Sequence, residues 1–226
     1  MKPPFALDCA PPFLVIRFDD IHRTLGWSIA RPGFQYLREI AWLEVRDADL
    51  SPDVDPVAFL KERLASKGLA EAAAFMTARD VRRHHLARSQ VGDIAATCVT
   101  TVGLSNAERV GTRRHGAARR VGTINTLVHL SRPLSTGAFV EAVSIVAQAR
   151  TAAILESRGR PDEAAATGTG TDCIVVAAPE GGRPQTCAGL HTDVGEAIGA
   201  CVYEATSEGT RVWRADVALS NIAEAH

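Results

Sequence analysis

The sequence has few aromatic residues and almost no net charge, and both shortages bear on its partners. Aromatic residues make up 5% of the 226 residues, and the formal net charge at pH 7 is -1. A nucleic-acid surface needs a basic face and commonly side chains that stack on bases, so we predict no nucleic-acid partner. The composition, 46% hydrophobic and 23% charged, is typical of a globular protein with one sizeable core. We therefore predict a single domain over residues 1–226 that binds a small ligand.

Long apolar runs are also missing. No stretch approaches the roughly 18 apolar residues that a membrane-spanning helix requires. The first twenty residues, "MKPPFALDCAPPFLVIRFDD", contain prolines and acids but no apolar signal core. We therefore expect no membrane span and a cytoplasmic location.

Metal-binding and disulfide spacings are absent as well. The five cysteines show no C-x-x-C pair, so we expect reduced thiols that lie mostly in the core. There is no H-E-x-x-H motif, and His84 and His85 are adjacent, so on a helix they would point apart. A site built from Asp172, His191 and a third acid is the remaining alternative. We predict no metal.

The hydrophobic pattern alternates between strands and helices. Apolar and β-branched runs predict strands at residues 13–18, 27–30, 41–45, 94–102, 121–130, 173–178 and 210–217. Helical spacing predicts helices within residues 51–69, ending before Gly68, and over residues 77–90, 137–158 and 193–206. Asp193 and Glu196 have the spacing of a capping box. The arginine-rich segment 113–120 is predicted to be a loop that is either solvated or in contact with a ligand phosphate. This alternation predicts a mixed α/β (α+β-like) layered domain with a mixed β-sheet flanked by helices.

The segment "TGTGTDCIVVA", residues 167–177, places three threonines and one carboxylate directly before a strand. A phosphate-binding P-loop needs a lysine after its second glycine, and a dinucleotide fingerprint needs its glycines after the strand, so neither is present. Thr167, Thr169 and Thr171 could donate hydrogen bonds or supply a nucleophile, and Asp172 could orient them or accept a proton. The alternative is a structural loop whose threonines bond their own backbone.

His191 lies just before the helix predicted to begin at Asp193. The positive end of a helix dipole disfavours the imidazolium form, so a histidine there can act as a base. A purely structural hydrogen-bonding role is the alternative.

Two polar clusters interrupt apolar runs, at residues 103–108 ("GLSNAE") and 122–126 ("GTINT"). Amides and hydroxyls at strand ends can hold a carbonyl oxygen or an oxyanion. Turn formation is the alternative for such residues. Asn125, inside an apolar stretch, must find a partner in either the backbone or a ligand.

Five segments in a fixed order resemble the adenosylcobinamide amidohydrolase (CbiZ) family. They are "TARDV" (77–81), "VTTVGLSNAERVG" (99–111), "GTINTLV" (122–128), "ATGTGTDCIVVA" (166–177) and "AGLHTDVGEAIGACVYEA" (188–205). The link "RPLSTGAFVEAV" (132–143) lies in its expected place, and the resemblance spans roughly residues 25–206.

The resemblance implies hydrolysis of the amide between aminopropanol and the corrin side chain of adenosylcobinamide. The product would be adenosylcobyric acid, for salvage into coenzyme B12. The corrinoid is then substrate, so no other cofactor is expected. An intact corrinoid is large, which implies a broad cleft. A corrinoid-binding protein without hydrolytic activity and an acyl-transfer enzyme are the alternatives, and a homo-oligomer is left open.

Within that activity, candidate roles follow from the chemistry of amide hydrolysis. We assign proton transfer to His191 and Asp172, and positioning to Thr169 or Thr171. Whether water or a threonine attacks is left open. The predicted substrate-binding residues are Ser105, Asn106, Thr123, Asn125, Thr167, Gly168, Gly170 and Thr192, with Asn106 and Asn125 contacting the oxyanion or the substrate amide.

Overall fold

The computed structural model describes residues 4–51, 53–112, 122–157 and 165–224. The arginine-rich segment 113–120 lies outside these ranges. The strands in the described ranges are β1 (Ala6–Ala10), β2 (Phe13–Gly26), β3 (Gly33–Glu44), β4 (Ala73–Thr77), β5 (His84–Val91), β6 (Ile94–Val102), β7 (Ala107–Glu108), β8 (Ile124–Leu130), β9 (Gly168–Thr169) and β10 (Cys173–Pro179). The α-helices there are α1 (Pro56–Ser66), α2 (Thr136–Glu156) and α3 (Asp193–Glu224).

One large mixed sheet organises the described part of the chain. Its strand order is β4-β3-β2-β10-β8-β6-β5, and β1 pairs with the beginning of β2. The pairs β10–β8 and β3–β4 are parallel, and the other neighbours are antiparallel. The parallel pair β8–β10 is connected through α2, as a parallel pair requires a crossover. The predicted mixed sheet flanked by helices is confirmed.

The longest strand, β2, is irregular, because its pairing with β3 shifts register between Arg17 and His22. Strand β4 contacts β8 although three strands separate them in the sheet order, so the two halves of the sheet that contain β4 and β8 lie close together. Between the halves lies an apolar cluster that includes Leu14, Ile16, Ile40, Trp42, Phe75, Val99, Leu127 and Val175. The side-chain amide of Asn125 on β8 donates to the carbonyl oxygen of Met76 on β4 at 2.7 Å, which ties the two halves together.

The helices cover the outer face of the sheet. Leu60 and Leu64 of α1 pack against β2, β3 and β4. The helix lies within the predicted segment 51–69 and begins at Pro56, since the Asp55 carboxylate caps it by accepting the Val57 amide hydrogen at 2.9 Å. It stops before Gly68, whose φ of 71° suits glycine.

Helix α2 is long and apolar enough, by length and composition alone, to cross a membrane. Its buried residues, which include Phe139 and Val146, belong to the same core cluster as residues of β6, β8, β10 and α3. Packing on the sheet therefore accounts for its apolar character. The absence of a membrane partner stays a prediction.

The helix predicted for residues 77–90 is wrong. A single 3-10 turn, Val81–Arg83, is followed by β5, which pairs with β6 along its whole length. Gly92, with a φ of 55°, and Asp93 form the two-residue connection between these strands. Cross-strand hydrogen bonds outweigh the helix propensity of the alanine and arginine residues here.

Two further strand predictions are wrong. Residues 210–217 continue α3, which packs along β5 and β6 and buries residues as far along as Thr210. In residues 27–30, Ala30 makes only an isolated bridge with Ala74. Helix α3 is capped one residue earlier than predicted, by Thr192, whose hydroxyl accepts the Gly195 amide hydrogen at 3.0 Å. Gly195 has no side chain to complete a capping box.

The cysteines are free thiols, as expected. Cys98, Cys173 and Cys201 are buried, and Cys187 is exposed. Burial raises the pKa of Cys201 to about 12 and that of Cys173 to about 11. Both therefore remain protonated at neutral pH and behave as core residues.

Candidate functional site

The amino ends of the parallel strands β8 and β10 carry most of the predicted site residues. Three stretches meet there, namely residues 103–110 after β6, residues 122–125 at the start of β8 and residues 167–172 before β10. The pairing of β7 with β9, with Ala107 opposite Thr169, joins the first stretch to the third. The predicted residues on these stretches are Ser105, Asn106, Thr123, Asn125, Thr167, Gly168, Thr169, Gly170, Thr171 and Asp172.

The carboxylate of Asp172 is the centre of this site. Its Oδ1 accepts the Ile124 amide hydrogen at 3.1 Å, and its Oδ2 accepts the Thr169 amide hydrogen at 2.9 Å. The Thr169 hydroxyl also donates to Oδ1. The Arg150 guanidinium of α2 lies 3.1 Å from Oδ2, and both side chains are about nine-tenths buried. This one carboxylate therefore fixes the loop, the start of β8 and a buried cation.

The two glycines of "TGTGTD" are required because other side chains lie too close to their backbone to leave room for a Cβ atom. A Cβ at Gly168 would lie 2.4 Å from the Asp172 carboxylate, so a side chain there would displace it. A Cβ at Gly170 would lie 3.0 Å from the Asn106 side-chain nitrogen. Thr167 connects this loop to the stretch 103–110, because its hydroxyl accepts the Val110 amide hydrogen at 2.8 Å.

Asn125 and Thr123 form the inner wall of the site. The Thr123 hydroxyl donates to the Thr171 carbonyl oxygen at 2.8 Å. Asn125 is 1% exposed, and its amide already bonds the Met76 carbonyl oxygen. The sequence left a backbone or a ligand partner open for Asn125, and the structure supplies a backbone partner.

The outer rim of the site is more accessible. Ser105 and Thr171 are exposed, and Asn106 is half-buried. The Asn106 backbone carbonyl oxygen accepts the Gly170 amide hydrogen at 3.2 Å, while no bond of its side-chain amide is seen among the described residues. Asn106 is therefore better placed than Asn125 to contact a ligand.

His191 and Thr192 lie at the other end of the sheet, so the expected meeting of His191 with Asp172 does not occur. Asp172 bonds Ile124, which is opposite Val102, the last residue of β6. Near His191, in contrast, a Cβ on Gly92 just before β6 would lie 2.7 Å from the Asp193 carboxylate. Since a strand rises about 3.3 Å per residue, the nine residues of β6 separate these ends by roughly 25 Å. The structure therefore does not bring His191 and Asp172 together within one chain.

The structure contains a buried imidazole pair, His22 and His129, that was not predicted from the sequence. Their Nε2 atoms are 3.1 Å apart, and His22 Nδ1 lies 3.0 Å from the Asp20 carbonyl oxygen. The pKa of His129 is lowered to about 3, mainly by burial and to a smaller extent by the charges of His22 and Arg88. Burial also lowers the pKa of His22. The two residues are far apart in sequence, so no local sequence pattern predicts that they pair.

The histidine pair should make the folded state sensitive to acid. Between pH 6.5 and about 3, an unfolded chain protonates His129 and the folded chain does not, so the free energy of unfolding falls as the pH falls. Lowering the pH from 7 to 5 should remove about 2 kcal/mol through His129 alone. Urea unfolding of wild type and His129→Gln at both pH values measures this, with His191→Gln as an exposed control. An equal pH dependence in wild type and His129→Gln would contradict it.

A metal site is not supplied by the described residues, in which no three histidine, cysteine or acidic side chains converge. The predicted absence of a metal nevertheless stays a prediction. Clefts of about 370 and about 470 Å³ occur in the described part of the chain. The first is bordered by Pro12 and Arg46 and the second by Phe18 and Tyr36, and neither is lined by a predicted site residue. The broad cleft expected for a corrinoid also stays a prediction.

A family model and a curated relative indicate the same family. Residues 5–218 match a family model described as adenosylcobinamide amidohydrolase. A protein of that name from Halobacterium salinarum is 31% identical over 156 residues, which cover 65% of this chain and 63% of that protein. The match thus spans less than two thirds of the relative. A Pyrococcus horikoshii protein of known structure aligns with 87% of this chain and 76% of its own, at 8% identity and a TM-score of 0.45, which is too low to inform function.

Proposed function

The chain belongs to the adenosylcobinamide amidohydrolase family, and from that premise we propose that it hydrolyses the amide between aminopropanol and the corrin side chain of adenosylcobinamide. The products are adenosylcobyric acid and free aminopropanol, and the reaction serves corrinoid salvage for coenzyme B12 synthesis. The observation that carries the proposal is the meeting of three separate polar stretches around the Asp172 carboxylate.

Amide hydrolysis needs an attacking oxygen and a group that takes its proton. The Thr169 hydroxyl already donates to the Asp172 carboxylate, which is the arrangement of a nucleophile and its base. In the proposed reaction Thr169 Oγ1 bonds to the amide carbon while its proton moves to Asp172. The carbon–nitrogen bond then breaks, and the leaving amine takes that proton. Water finally hydrolyses the ester and restores the threonine hydroxyl.

The other residues at this end hold the substrate or the loop. Asn106, Ser105 and Thr171 line the accessible rim, where an amide and two hydroxyls suit the propionamide arms of a corrinoid. Arg150 keeps the Asp172 carboxylate in place from the helix side. His191 has no part in this mechanism.

A corrinoid-binding protein without hydrolytic activity is the second candidate, and one observation favours it. A carboxylate has about four acceptor positions, and Asp172 meets two amide groups, one hydroxyl and one guanidinium. Such a carboxylate is well suited to hold a loop, because all of its acceptor positions are then used by protein groups.

One assay separates the two candidates. Purified protein incubated with adenosylcobinamide should release aminopropanol and adenosylcobyric acid in equal amounts, followed by mass spectrometry. A parallel sample without protein gives the background, and a sample with a chelator tests for a metal. Retention of the corrinoid by the protein without any new acid would favour the binding protein.

A further inference from the structure

Trp27 is an exposed aromatic residue at the edge of the Asp172 site. Its side chain is 43% exposed, whereas Trp42 is fully buried. The indole Nε1–H donates to the Asp172 carbonyl oxygen at 2.6 Å, and the Trp27 amide donates to the Ile174 carbonyl oxygen at 3.2 Å. Both the backbone and the polar edge of the ring are therefore fixed, while part of the ring remains open to solvent.

The preceding glycine permits this position. A Cβ at Gly26 would lie 2.2 Å from the Ile174 carbonyl oxygen, so any side chain would push β2 away from the start of β10. The close approach brings Trp27 to the residue that carries the central carboxylate. A ring held in advance loses little conformational freedom when a ligand binds.

Exposed apolar side chains are common and usually need no explanation. Tyr36, for example, is 61% exposed but lies away from the Asp172 site. It pairs with Arg23 of β2, and Arg23 pairs with Ala178, which is near the end of β10 remote from Asp172. Trp27 differs because its hydrogen bond ties it to Asp172 itself. We propose that Trp27 is a substrate-binding platform against which the conjugated part of the substrate's corrin ring packs while the scissile amide reaches Thr169.

The proposal rests on the proposed function and adds a determinant of substrate class. Aromatic stacking contributes most to ligands with a large flat face, and little to a free amino alcohol or a short aliphatic amide. Trp27 should therefore favour amides attached to a conjugated macrocycle. The chemistry remains with Thr169 and Asp172, so loss of the ring should affect KM more than kcat.

The test is steady-state hydrolysis of adenosylcobinamide by wild type, Trp27→Ala and Trp27→Phe, with Tyr36→Ala as an exposed aromatic control. Trp27→Ala should raise KM about 10-fold or more and change kcat less than about threefold. Trp27→Phe retains an aromatic face and should raise KM less than about threefold. Tyr36→Ala should match wild type. A purely structural role would instead lower kcat and thermal stability, and Phe would restore neither.

The outcomes distinguish this inference from the proposed function. If wild type neither hydrolyses nor binds adenosylcobinamide, the proposed function is wrong, and the proposed role of Trp27 is wrong as well. If wild type is active and Trp27→Ala has the same KM, the platform alone is overturned. Should Trp27→Ala not fold, Trp27→Leu replaces it, and equal KM values for the Leu and Phe variants would overturn the platform.

Discussion

Replacing Asp172 with asparagine should lower turnover of adenosylcobinamide more than about 1,000-fold and should also destabilise the fold. Turnover falls because asparagine cannot take the proton of Thr169. Stability falls because Arg150, whose side chain is 11% exposed, loses the carboxylate that compensates its buried charge. Removing one partner of such a pair costs about 3–5 kcal/mol. Product analysis by mass spectrometry and urea unfolding measure the two effects separately.

A second substitution separates the two roles of Asp172. In Asp172→Asn with Arg150→Met no unpaired cation remains, so most of the lost free energy of unfolding should return. Turnover should stay low because the proton acceptor is still missing. If turnover returned together with stability, Asp172 would only hold the loop. Asp193→Asn, a change at the exposed first residue of α3, is the control and should leave turnover at the wild-type level.

Thr169→Val should lower turnover about 1,000-fold while leaving the fold nearly as stable as wild type. Valine removes the attacking oxygen and keeps the shape of the side chain, and the Thr169 backbone bond to Asp172 is unaffected. Thr169→Ser should keep turnover within about tenfold, because serine supplies the same hydroxyl. Thr112→Val, at an exposed threonine whose hydroxyl bonds the Arg109 carbonyl oxygen, should behave as wild type.

The covalent step of the Thr169 mechanism can be tested directly. An ester between Thr169 and the corrin side chain would react with hydroxylamine, so part of the product should appear as a hydroxamate in its presence. Turnover of Thr169→Val within tenfold of wild type, with no hydroxamate formed by wild type, would show that water attacks and that Thr169 only positions it.

Several features of the fold can be predicted from local sequence because their causes are local. The β-branched run at residues 94–102 forms β6, and the apolar run at residues 173–178 forms the greater part of β10. The helix beginning after Asp55 is confirmed because its cap, its first-turn proline and its terminal glycine lie within one segment. Residues 84–91 are different, since their pairing with β6 overrides their helix propensity.

The candidate site shows the same division. "TGTGTD" is a tight loop because the Thr169 amide donates a hydrogen bond to the carboxylate of Asp172, three residues later. That Asp172 also bonds Ile124 depends on the parallel register of β8 and β10. His191 looked equally suitable as a proton acceptor, because a sequence does not state at which end of a sheet a helix begins.

The sequence alone determined the family, the mixed α/β class and the polar segments to which we assign the chemistry, because each depends on the order and type of residues along the chain. The tertiary structure decided which segments meet. It brought the Asp172 loop to the starts of β8 and β10, placed Trp27 beside it and left His191 at the opposite end. The physical reason is that strand pairing and its register fix distances between residues that are remote in sequence.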